Sequence, residues 1–514
     1  MKNTAQSNPN NRSKLFAYAM LVITLILWLC VSAVEDTASI FIFNIIFTAT
    51  MLYLCSIIST EKSNSHEVKL LFCASLLLRS IVSIIALYSS PDPAFAYATG
   101  TNEDSISFFE RSFLPFQDVI LAFEEPGFPV ANYYISQFSE KLGGAHYLAN
   151  VQLVLAFGSL FPSVAYAFIS EIYNIKVARI AGWILVFHPL AIAFSTGLMR
   201  DALIGTLGWL LVYMALRVRH TKGLKLIMPF VVIIVCAGAL YSLRVLSCAA
   251  FIVLGVSIFV AYSMNTRKMT WAQLRIITLV IVITTALLVA VVITRGERLL
   301  TAFAYGEVVR AGRHTAKGAE LNPDGITTKI GNASPLFLAA LAPTQIMQPL
   351  PFYSWKPPEW IGGPPRLVDI LMGFGGLVNQ LFMCMYLMGL LYWWRTRHWA
   401  GIIFGGVFIF VMSAANLIGL GQVRYIMAHV YPVYFLTVAT GWLFLKQSCV
   451  KEWKVWGLWV ICLLLVYFAY LLYQNGISLM QLAMSLGLIL MVVFAMLLNY
   501  LYASCQCGRS KSNA

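Results

Sequence analysis

The chain contains about fourteen apolar runs, each close to the roughly 20 residues that a helix needs to cross the hydrocarbon core of a membrane. Lipid offers no partner to backbone amide and carbonyl groups. Runs of this length without strict alternation therefore predict α-helices rather than the strands of a barrel. Composition agrees, because 60% of the 514 residues are hydrophobic and only 11% are charged. The sequence predicts an all-α, polytopic transmembrane helical bundle that forms a single integral membrane domain over 1–514.

The predicted spans follow one another along the chain with two long interruptions. We place them at 15–33, 39–58, 69–89, 146–168, 178–198, 202–217, 226–243, 246–264, 276–294, 367–394, 399–418, 424–445, 455–473 and 478–502. A polar tail precedes the first run, and no small-residue cleavage site follows it before Glu35 and Asp36. We therefore interpret this run as a membrane helix rather than a cleaved signal.

Lysine and arginine residues are concentrated in alternate connections between the predicted spans. Two such clusters are Arg217, Arg219, Lys222 and Lys225, and Lys446, Lys451 and Lys454. Basic residues in short connections mark the cytoplasmic side of a membrane protein. The pattern predicts that both termini are cytoplasmic and that the two long loops are extracytoplasmic.

The formal net charge of +14 has the same explanation. Because the basic residues are dispersed in short connections, they suit orientation in the membrane and contact with anionic lipid. We predict membrane lipids as partners, and no nucleic acid. The ten cysteines lie in apolar spans or on the predicted inner face, so we expect no structural disulfide.

Two predicted extracytoplasmic loops, 89–145 and 295–366, are much longer than the other connections. Ordered loops of this length usually carry function. The first is acidic, with Asp92, Glu103, Asp104, Glu110, Asp118, Glu124, Glu125 and Glu140. The second is basic, with Arg295, Arg298, Arg310, Arg313, Lys317, Lys329, Lys356 and Arg366. We expect the two loops to share one cleft beside the membrane.

Opposite charges of this kind suit the transfer of a sugar from a lipid phosphate. A carboxylate takes the proton of the attacking hydroxyl, and cations stabilise the departing phosphate or diphosphate. Arginine fits the second role because its planar guanidinium bonds two phosphate oxygens at once. For each residue by itself the simpler interpretation is a solvated surface charge. Asp104, for example, is also a favourable cap for a helix that begins at DSISFFER.

Charged residues also occur within or beside the predicted spans. Arg79 lies near the middle of one span, and Arg200, Asp201 and Arg244 lie at the outer ends of others. A charge at such a depth is costly unless it reaches water or a partner, so we predict a binding role. The simpler alternative for Arg200 and Asp201 is that they pair with each other.

No residue spacing typical of a metal site occurs, so we predict no metal ligand and require no cofactor. His188 and His429 are interpreted as buried helix histidines. A Mg²⁺ ion that bridges donor phosphates through the first-loop acids remains compatible with the sequence.

Four stretches together resemble membrane enzymes of bacterial surface-polysaccharide assembly. They are the acidic first loop, the element EEPGF, the segment HPLAIAFSTGLMRDAL and the late segment GLGQVRYIMAHVYPVYF. They are similar to GT-C glycosyltransferases that use polyprenyl-phosphate sugars, and to O-antigen and exopolysaccharide repeat-unit polymerases. The resemblance covers residues 69–445 and rests on short motifs.

The resemblance to GT-C enzymes implies a general base in the first outer loop. This base would be Asp104, or Glu103 beside it. The family usually places its catalytic loop after the first span, whereas two further helices precede the loop here. Two extra spans leave the loop on the outer side.

The resemblance to polymerases instead emphasises arginines that hold diphosphate and glycan. Arg200, Arg244 and Arg424 match these arginines. In this case the catalytic carboxylate would be Glu124 or Glu125 of the EEPGF element.

The function expected from these observations is glycosyl transfer at the outer face of the bacterial inner membrane, from a polyprenyl-(di)phosphate-linked sugar to a glycan or lipid acceptor. The residues expected around phosphate and glycan are Arg79, Arg200, Asp201, Arg244, Arg310, Arg313, Lys356 and Arg424. The alternative is a lipid-linked oligosaccharide flippase or another transporter. No acid lies at the centre of a predicted span and no repeat relates the two halves, which favours the enzyme.

Overall fold

A computed structural model describes residues 9–60, 64–89, 104–122, 125–218, 221, 223–264, 346–347, 367–411, 423–447 and 452–474. Every regular element in these ranges is helical, which confirms the all-α class. Eight of the helices within them are long and apolar enough to cross a membrane. The predicted spans at 276–294 and 478–502 lie outside the described residues, as does nearly all of the predicted second loop.

The described helices are numbered here in chain order. They are α1 (Pro9–Val34), α2 (Ala38–Ile58), α3 (Ser65–Ser89), α4 (Asp104–Glu110), α5 (Phe116–Ala122), α6 (Gly127–Glu140), α7 (Tyr147–Ile172), α8 (Ile175–Phe187), α9 (Pro189–Ala193), α10 (Asp201–Val218), α11 (Ile227–Leu243), α12 (Val245–Met264), α13 (Leu367–Arg395), α14 (Trp399–Ile402), α15 (Val423–Gln447) and α16 (Glu452–Gln474). A π-helical stretch, Ile403–Phe408, continues α14.

The chain divides into two compact units. The first unit comprises Met1–Gly296, Trp355–Gly375 and Met427–Pro432, and the second comprises Glu297–Ser354, Gly376–Ile426 and Val433–Ala514. In the first unit α7 is the central helix, since it packs against α2, α3, α8 and α10. Its side chains are buried almost from end to end. Around it, α1 packs on α2 and α3, and α11 and α12 pack on α10.

Polar contacts join helix ends at two opposite ends of the first unit. At one end, Glu35 after α1 lies 3.2 Å from His146 before α7. At the other end, Glu67 near the start of α3 lies 3.2 Å from Arg179 near the start of α8. Each pair joins elements that the predicted alternation of spans puts on one side of the membrane. Which of these two ends faces the cytoplasm remains a prediction.

The predicted span 178–198 is not one continuous helix. It is interrupted at His188, where α8 ends and the short α9 begins, and the chain from 194 to 200 is not helical. Proline disfavours the helical conformation of the residue before it, and His188, which precedes Pro189, is extended with φ −68° and ψ 120°. Proline itself is well tolerated in the first turn of the helix that follows.

A second proline, Pro432, lies in the part of α15 that belongs to the first unit, Met427–Pro432. Pro432 has no N–H, so the carbonyl of Ala428 one turn earlier has no partner within the helix. The indole Nε1 of Trp209 on α10 donates to that carbonyl at 3.1 Å. Gly205, one turn earlier on α10, allows this approach, because a Cβ there would lie 3.0 Å from the Cα of Ala428.

In the second unit, small residues let helices cross closely. A Cβ at Gly389 on α13 would lie 3.0 Å from the carbonyl carbon of Thr437 on α15. Close contact at glycines is the usual means of packing helices in lipid. Side-chain donors add hydrogen bonds, since Trp459 Nε1 on α16 donates to the carbonyl of Gln380 at 2.7 Å.

We predict that Trp209→Phe destabilises the first unit by about 1 to 3 kcal/mol, because it keeps the ring but leaves the Ala428 carbonyl buried without its donor. The melting temperature of the purified protein in detergent measures the change. Trp394→Phe is the control, because this indole is 65% exposed and its loss should leave the melting temperature nearly unaltered. Equal melting temperatures for the parent and Trp209→Phe would contradict the prediction.

Candidate functional site

The turn between α11 and α12 is the structural centre of the candidate site. Arg244 is extended there, with φ −167° and ψ 105°. The backbone groups on either side of it are therefore available to partners outside the two helices. The carbonyl of Leu243 accepts a hydrogen bond from Arg200 Nη1 at 3.0 Å. The N–H of Val245 donates to Glu125 Oε1 at 3.1 Å.

The EPGF element brings Glu125 to this turn. Gly127 begins α6, and a Cβ at this position would lie 2.8 Å from the backbone carbonyl carbon of Ser242. A larger residue would therefore hold the two backbones apart. This close approach lets Glu125, two residues earlier, accept from Arg200 Nη1 through Oε2 at 2.9 Å.

Arg200 and Asp201 reach the same turn from the start of α10. Asp201 lies in the first turn of α10, where the positive end of the helix dipole favours a carboxylate. Its Oδ1 lies 3.9 Å from Nη1 of Arg244. Three separate parts of the chain, 125–127, 200–201 and 242–245, thus meet at one point in the first unit.

We call Glu125, Arg200, Asp201 and Arg244 the arginine cluster. It holds two cations and two carboxyl groups. The side chains of Arg200, Glu125 and Arg244 are 26%, 23% and 20% exposed, whereas that of Asp201 is 2% exposed. The two arginines are therefore partly exposed, while the carboxyl groups beside them are buried or half-buried.

The guanidinium of Arg200 is oriented so that one side is occupied by the protein. Both of its described hydrogen bonds use Nη1. Within the part of the chain that the structure describes, the side formed by Nε and Nη2 has no partner. Two parallel N–H groups of this kind are the arrangement that binds phosphate or carboxylate oxygens bidentately. The arginine cluster is chemically suited to hold an anion at a helix start.

Of the residues predicted from sequence, four meet in this cluster, namely Glu125, Arg200, Asp201 and Arg244. Arg200 and Asp201 do not pair simply with each other, because Arg200 bonds Glu125 and Asp201 faces Arg244. The simpler sequence interpretation of these two residues is therefore incomplete.

Arg79 has a different environment. Its side chain is fully buried. It donates to the hydroxyls of Ser195, at 2.7 Å, and Ser75, and to the carbonyls of Val186 and Leu185 at 3.3 and 3.5 Å. These partners are all neutral protein oxygens. This position revises the predicted role of Arg79, which we no longer place in direct contact with a substrate.

The other predicted residues are described in part or not at all. Helix α4 begins at Asp104, and Arg424 lies in the first turn of α15. Their side chains lie outside the described part of the structure. Glu103, Glu124, Arg310, Arg313 and Lys356 lie outside the described residues altogether. The expected meeting of the first and second loops stays a prediction.

Sequence reasoning missed the backbone groups that fix the cluster. These are the Leu243 carbonyl, the Val245 N–H and the close approach of Gly127 to Ser242. The short sequence YSLRVLS between two spans was the available signal, because so tight a turn exposes backbone groups.

A second polar group lies at the end of the first unit where α1 ends and α7 begins. Tyr88 donates to Glu35 Oε1, and His146 Nε2 lies 3.2 Å from Glu35 Oε2. The Nδ1 of His146 accepts from the N–H of Leu148 at 3.2 Å, which caps α7. His146 therefore carries its proton on Nε2 and donates it to Glu35. We call Glu35, Tyr88 and His146 the Glu35 cluster.

Burial lowers the pKa of His146, although the Glu35 carboxylate acts in the opposite direction. The hydrogen bonds agree with this direction. A second proton would add an N–H at Nδ1, which faces the N–H of Leu148. Protonation would therefore remove the cap of α7.

The two histidines singled out in the sequence are both buried. His429 lies within α15, as predicted, whereas His188 lies at the interruption between α8 and α9 and not inside a helix. His188 is 1% and His429 is 6% exposed. His188 packs edge-on against Tyr431, and His429 Nε2 lies 3.1 Å from Ser247 Oγ. Among the described residues, no group of three or more His, Cys, Asp or Glu side chains is placed to hold a metal ion, so we assign no residue to a metal.

Comparison with family models, with curated proteins and with solved structures finds no match for this chain. The class therefore rests on the chain itself. Its regular elements are all helical in the described ranges, and eight of the helices there are long and apolar enough to cross a membrane, as in a multi-pass membrane protein.

We predict that Gly127→Ala destabilises the protein by about 1 to 3 kcal/mol, because the added methyl group forces apart two backbones that cannot both relax. Thermal unfolding in detergent measures this loss. Gly238→Ala on α11 is a matched control, since a Cβ there meets nothing within 4 Å. The control should be neutral or slightly stabilising, and equal losses in both variants would contradict the close approach at Ser242.

We predict that the stability of the first unit falls as pH is lowered below about 6.5, the ordinary pKa of histidine. The folded-state pKa of His146 is lowered, so the unfolded chain binds more protons in this range. The stabilising contribution is complete above that pH and is lost as pH decreases towards the folded-state value. Melting temperatures between pH 7.5 and 5 measure it. His146→Gln should show a smaller decrease than the parent, and an unchanged decrease would contradict this role.

Proposed function

We propose that the chain is a membrane glycosyl-transferring enzyme of bacterial surface-polysaccharide assembly. Its donor is a sugar linked to polyprenyl phosphate or diphosphate, and its acceptor is a glycan or lipid. In this proposal the chain has about 14 spans, by the length criterion for membrane helices, with both termini in the cytoplasm. The arginine cluster then faces the outer side of the inner membrane.

The observation that carries the proposal is the geometry of Arg200. Glu125 and the Leu243 carbonyl hold Nη1, and the opposite side of the guanidinium is directed away from these partners. An arginine fixed in this way is preorganised for the charge that develops on a departing phosphate. Arg244, one residue beyond Leu243, supplies a second cation at the same place.

The proposed reaction is a single displacement that inverts the anomeric carbon. The acceptor hydroxyl forms a new C–O bond to that carbon while the bond from the carbon to the phosphate oxygen breaks. The hydroxyl proton passes to a carboxylate of the first loop. The released phosphate or diphosphate takes the bonding electron pair and is stabilised by Arg200 and Arg244.

Asp104 is the first candidate for the proposed base, with Glu103 and Glu124 as alternatives in the same loop. Glu125 is a candidate in sequence, but its two oxygens already accept from Val245 N–H and Arg200. We therefore assign Glu125 first to holding Arg200. Arg310, Arg313, Lys356 and Arg424 are the further residues proposed around phosphate and glycan, and Mg²⁺ at the donor phosphates is compatible with this scheme.

A second candidate function is the flipping of a lipid-linked oligosaccharide. The observation that favours it is the interruption of the span at His188 beside the buried cation Arg79. Discontinuous helices with unpaired carbonyls are typical of carriers. Against it, the carbonyls of Leu185 and Val186 bond Arg79 rather than facing an open path.

Liposomes that contain the purified protein and a labelled lipid-linked sugar test the proposal. We expect a new glycosidic product, and we expect Asp104→Asn to lower its rate about 100-fold or more, the usual cost of losing a general base. Arg200→Gln should lower the rate by a similar factor, and Arg200→Lys should restore little of it because an ammonium cannot bind phosphate bidentately.

Glu140→Gln is the control for these variants, because Glu140 is an exposed acid of the same loop at the end of α6. Its rate should equal that of the parent at equal protein content. Movement of the label between leaflets without a glycosidic product would reject transfer and support flipping. Full activity in Arg200→Gln would remove the arginine cluster from the reaction.

A further inference from the structure

The chain segment 194–200 is buried but not helical. It runs from the end of α9 to the start of α10, and its residues up to Met199 are buried. Backbone groups at membrane depth need partners from the protein, because lipid supplies none. The segment leads directly into Arg200 and Asp201. What holds this segment therefore decides where the two charged side chains of the arginine cluster lie.

Arg79 on α3 binds this segment at its beginning. Its Nε donates to Ser195 Oγ at 2.7 Å, and the same hydroxyl donates to the carbonyl of Ala191 within α9. The other end of the guanidinium bonds the carbonyls of Leu185 and Val186 at the end of α8. One side chain thus joins both sides of the interruption at His188. The negative end of the α8 dipole compensates the buried charge.

Two further contacts from neighbouring helices hold the same segment. One turn after Arg79 on α3, Ser83 Oγ donates to the carbonyl of Thr196 at 3.2 Å. From α7, the hydroxyl of Tyr147 accepts from the N–H of Leu198 at 3.0 Å.

The surface of α7 is shaped for this segment. A Cβ at Gly158 would lie 2.2 Å from the Cβ of Ser195, so α7 must have a glycine where the segment passes. The segment is consequently fixed from two sides, by hydrogen bonds from α3 and by close packing on α7.

From these contacts we infer that Arg79 is a positioning residue for the arginine cluster. It holds the interrupted helix and the segment 194–200 so that Arg200 meets Glu125 and Asp201 meets Arg244. It acts through Ser195 and does not touch the substrate. The part of this inference that concerns catalysis rests on the proposed function, whereas the part that concerns structure does not.

Lysine cannot replace Arg79 in this role. The guanidinium reaches Ser195 with Nε and the two carbonyls with its terminal nitrogens, in directions set by one plane. A lysine ammonium is a point charge with its donors on a single nitrogen, so it reaches one of these groups at a time. The charge would be conserved but the link across the interruption would be lost.

Hydrogen exchange of the purified protein tests the structural part without any substrate. In Arg79→Lys we expect amides between 188 and 203 to exchange about tenfold faster or more, with α1 and α2 unaffected. Arg217→Gln is the matched control. Arg217 also donates to a carbonyl at the end of a helix, that of Ile57 on α2, but at the opposite end of the first unit.

In the control, exchange between 188 and 203 should equal that of the parent. Unchanged exchange of this region in Arg79→Lys would overturn the inference. Equally fast exchange throughout the molecule would also overturn it, because that result indicates general unfolding rather than local release.

A double-mutant cycle with Arg200→Lys tests the catalytic part, using the rate of glycosidic product formation. If Arg79 acts through Arg200, the double variant loses no more activity than the more severely affected single variant. If the fold-loss of activity in the double variant equals the product of the two single fold-losses, Arg79 acts independently of Arg200, and the inference is overturned. Faster exchange in Arg79→Lys, together with no product from any variant including the parent, would reject the proposed function and retain the structural role.

Discussion

The need of every buried backbone group for a partner determines the arrangement of the first unit. Within a membrane a helix satisfies its own amides and carbonyls, so groups without partners arise where helices end or break. This chain has such places at His188, at Pro432 and at the turn around Arg244. At each of them a side chain from another part of the chain supplies or accepts the missing hydrogen bond. Each of these interruptions is therefore also a point of tertiary contact.

The arginine cluster is one result of this rule. Carbonyl and carboxylate groups restrict the conformations of its arginine side chains before any ligand binds. The side chains therefore lose less conformational entropy when an anion binds. The two arginines differ in surroundings, since Arg200 bonds Glu125 closely whereas Arg244 lies 3.9 Å from Asp201.

Several features of the fold and the site were predictable because they depend on local sequence. Apolar runs of membrane length predicted the helices, and the described bounds of α2, α3, α7, α10 and α11 agree with the predicted spans to within a few residues. Charges at span ends drew attention to Arg200, Asp201 and Arg244, which the structure brings together, and their binding role stays a prediction. The interruption at His188 was not predicted, although Pro189 marks it, since length and hydropathy together treat 178–198 as one run. The burial of Arg79 among hydroxyls and carbonyls was also unpredictable, because all of its partners except Ser75 lie more than a hundred residues away in sequence.

By itself the sequence determined the helical class, the membrane environment and the approximate position of most spans, because these follow from hydrophobicity summed along short windows. Tertiary structure decided which charges meet. Glu125 pairs with Arg200 across 75 positions in sequence, and Val245 reaches Glu125 across 120. Such pairings depend on how helices pack around α7 and on close approaches at Gly127 and Gly158. No local sequence pattern specifies these pairings, because each contact stabilises the protein only after folding has brought the two distant segments together.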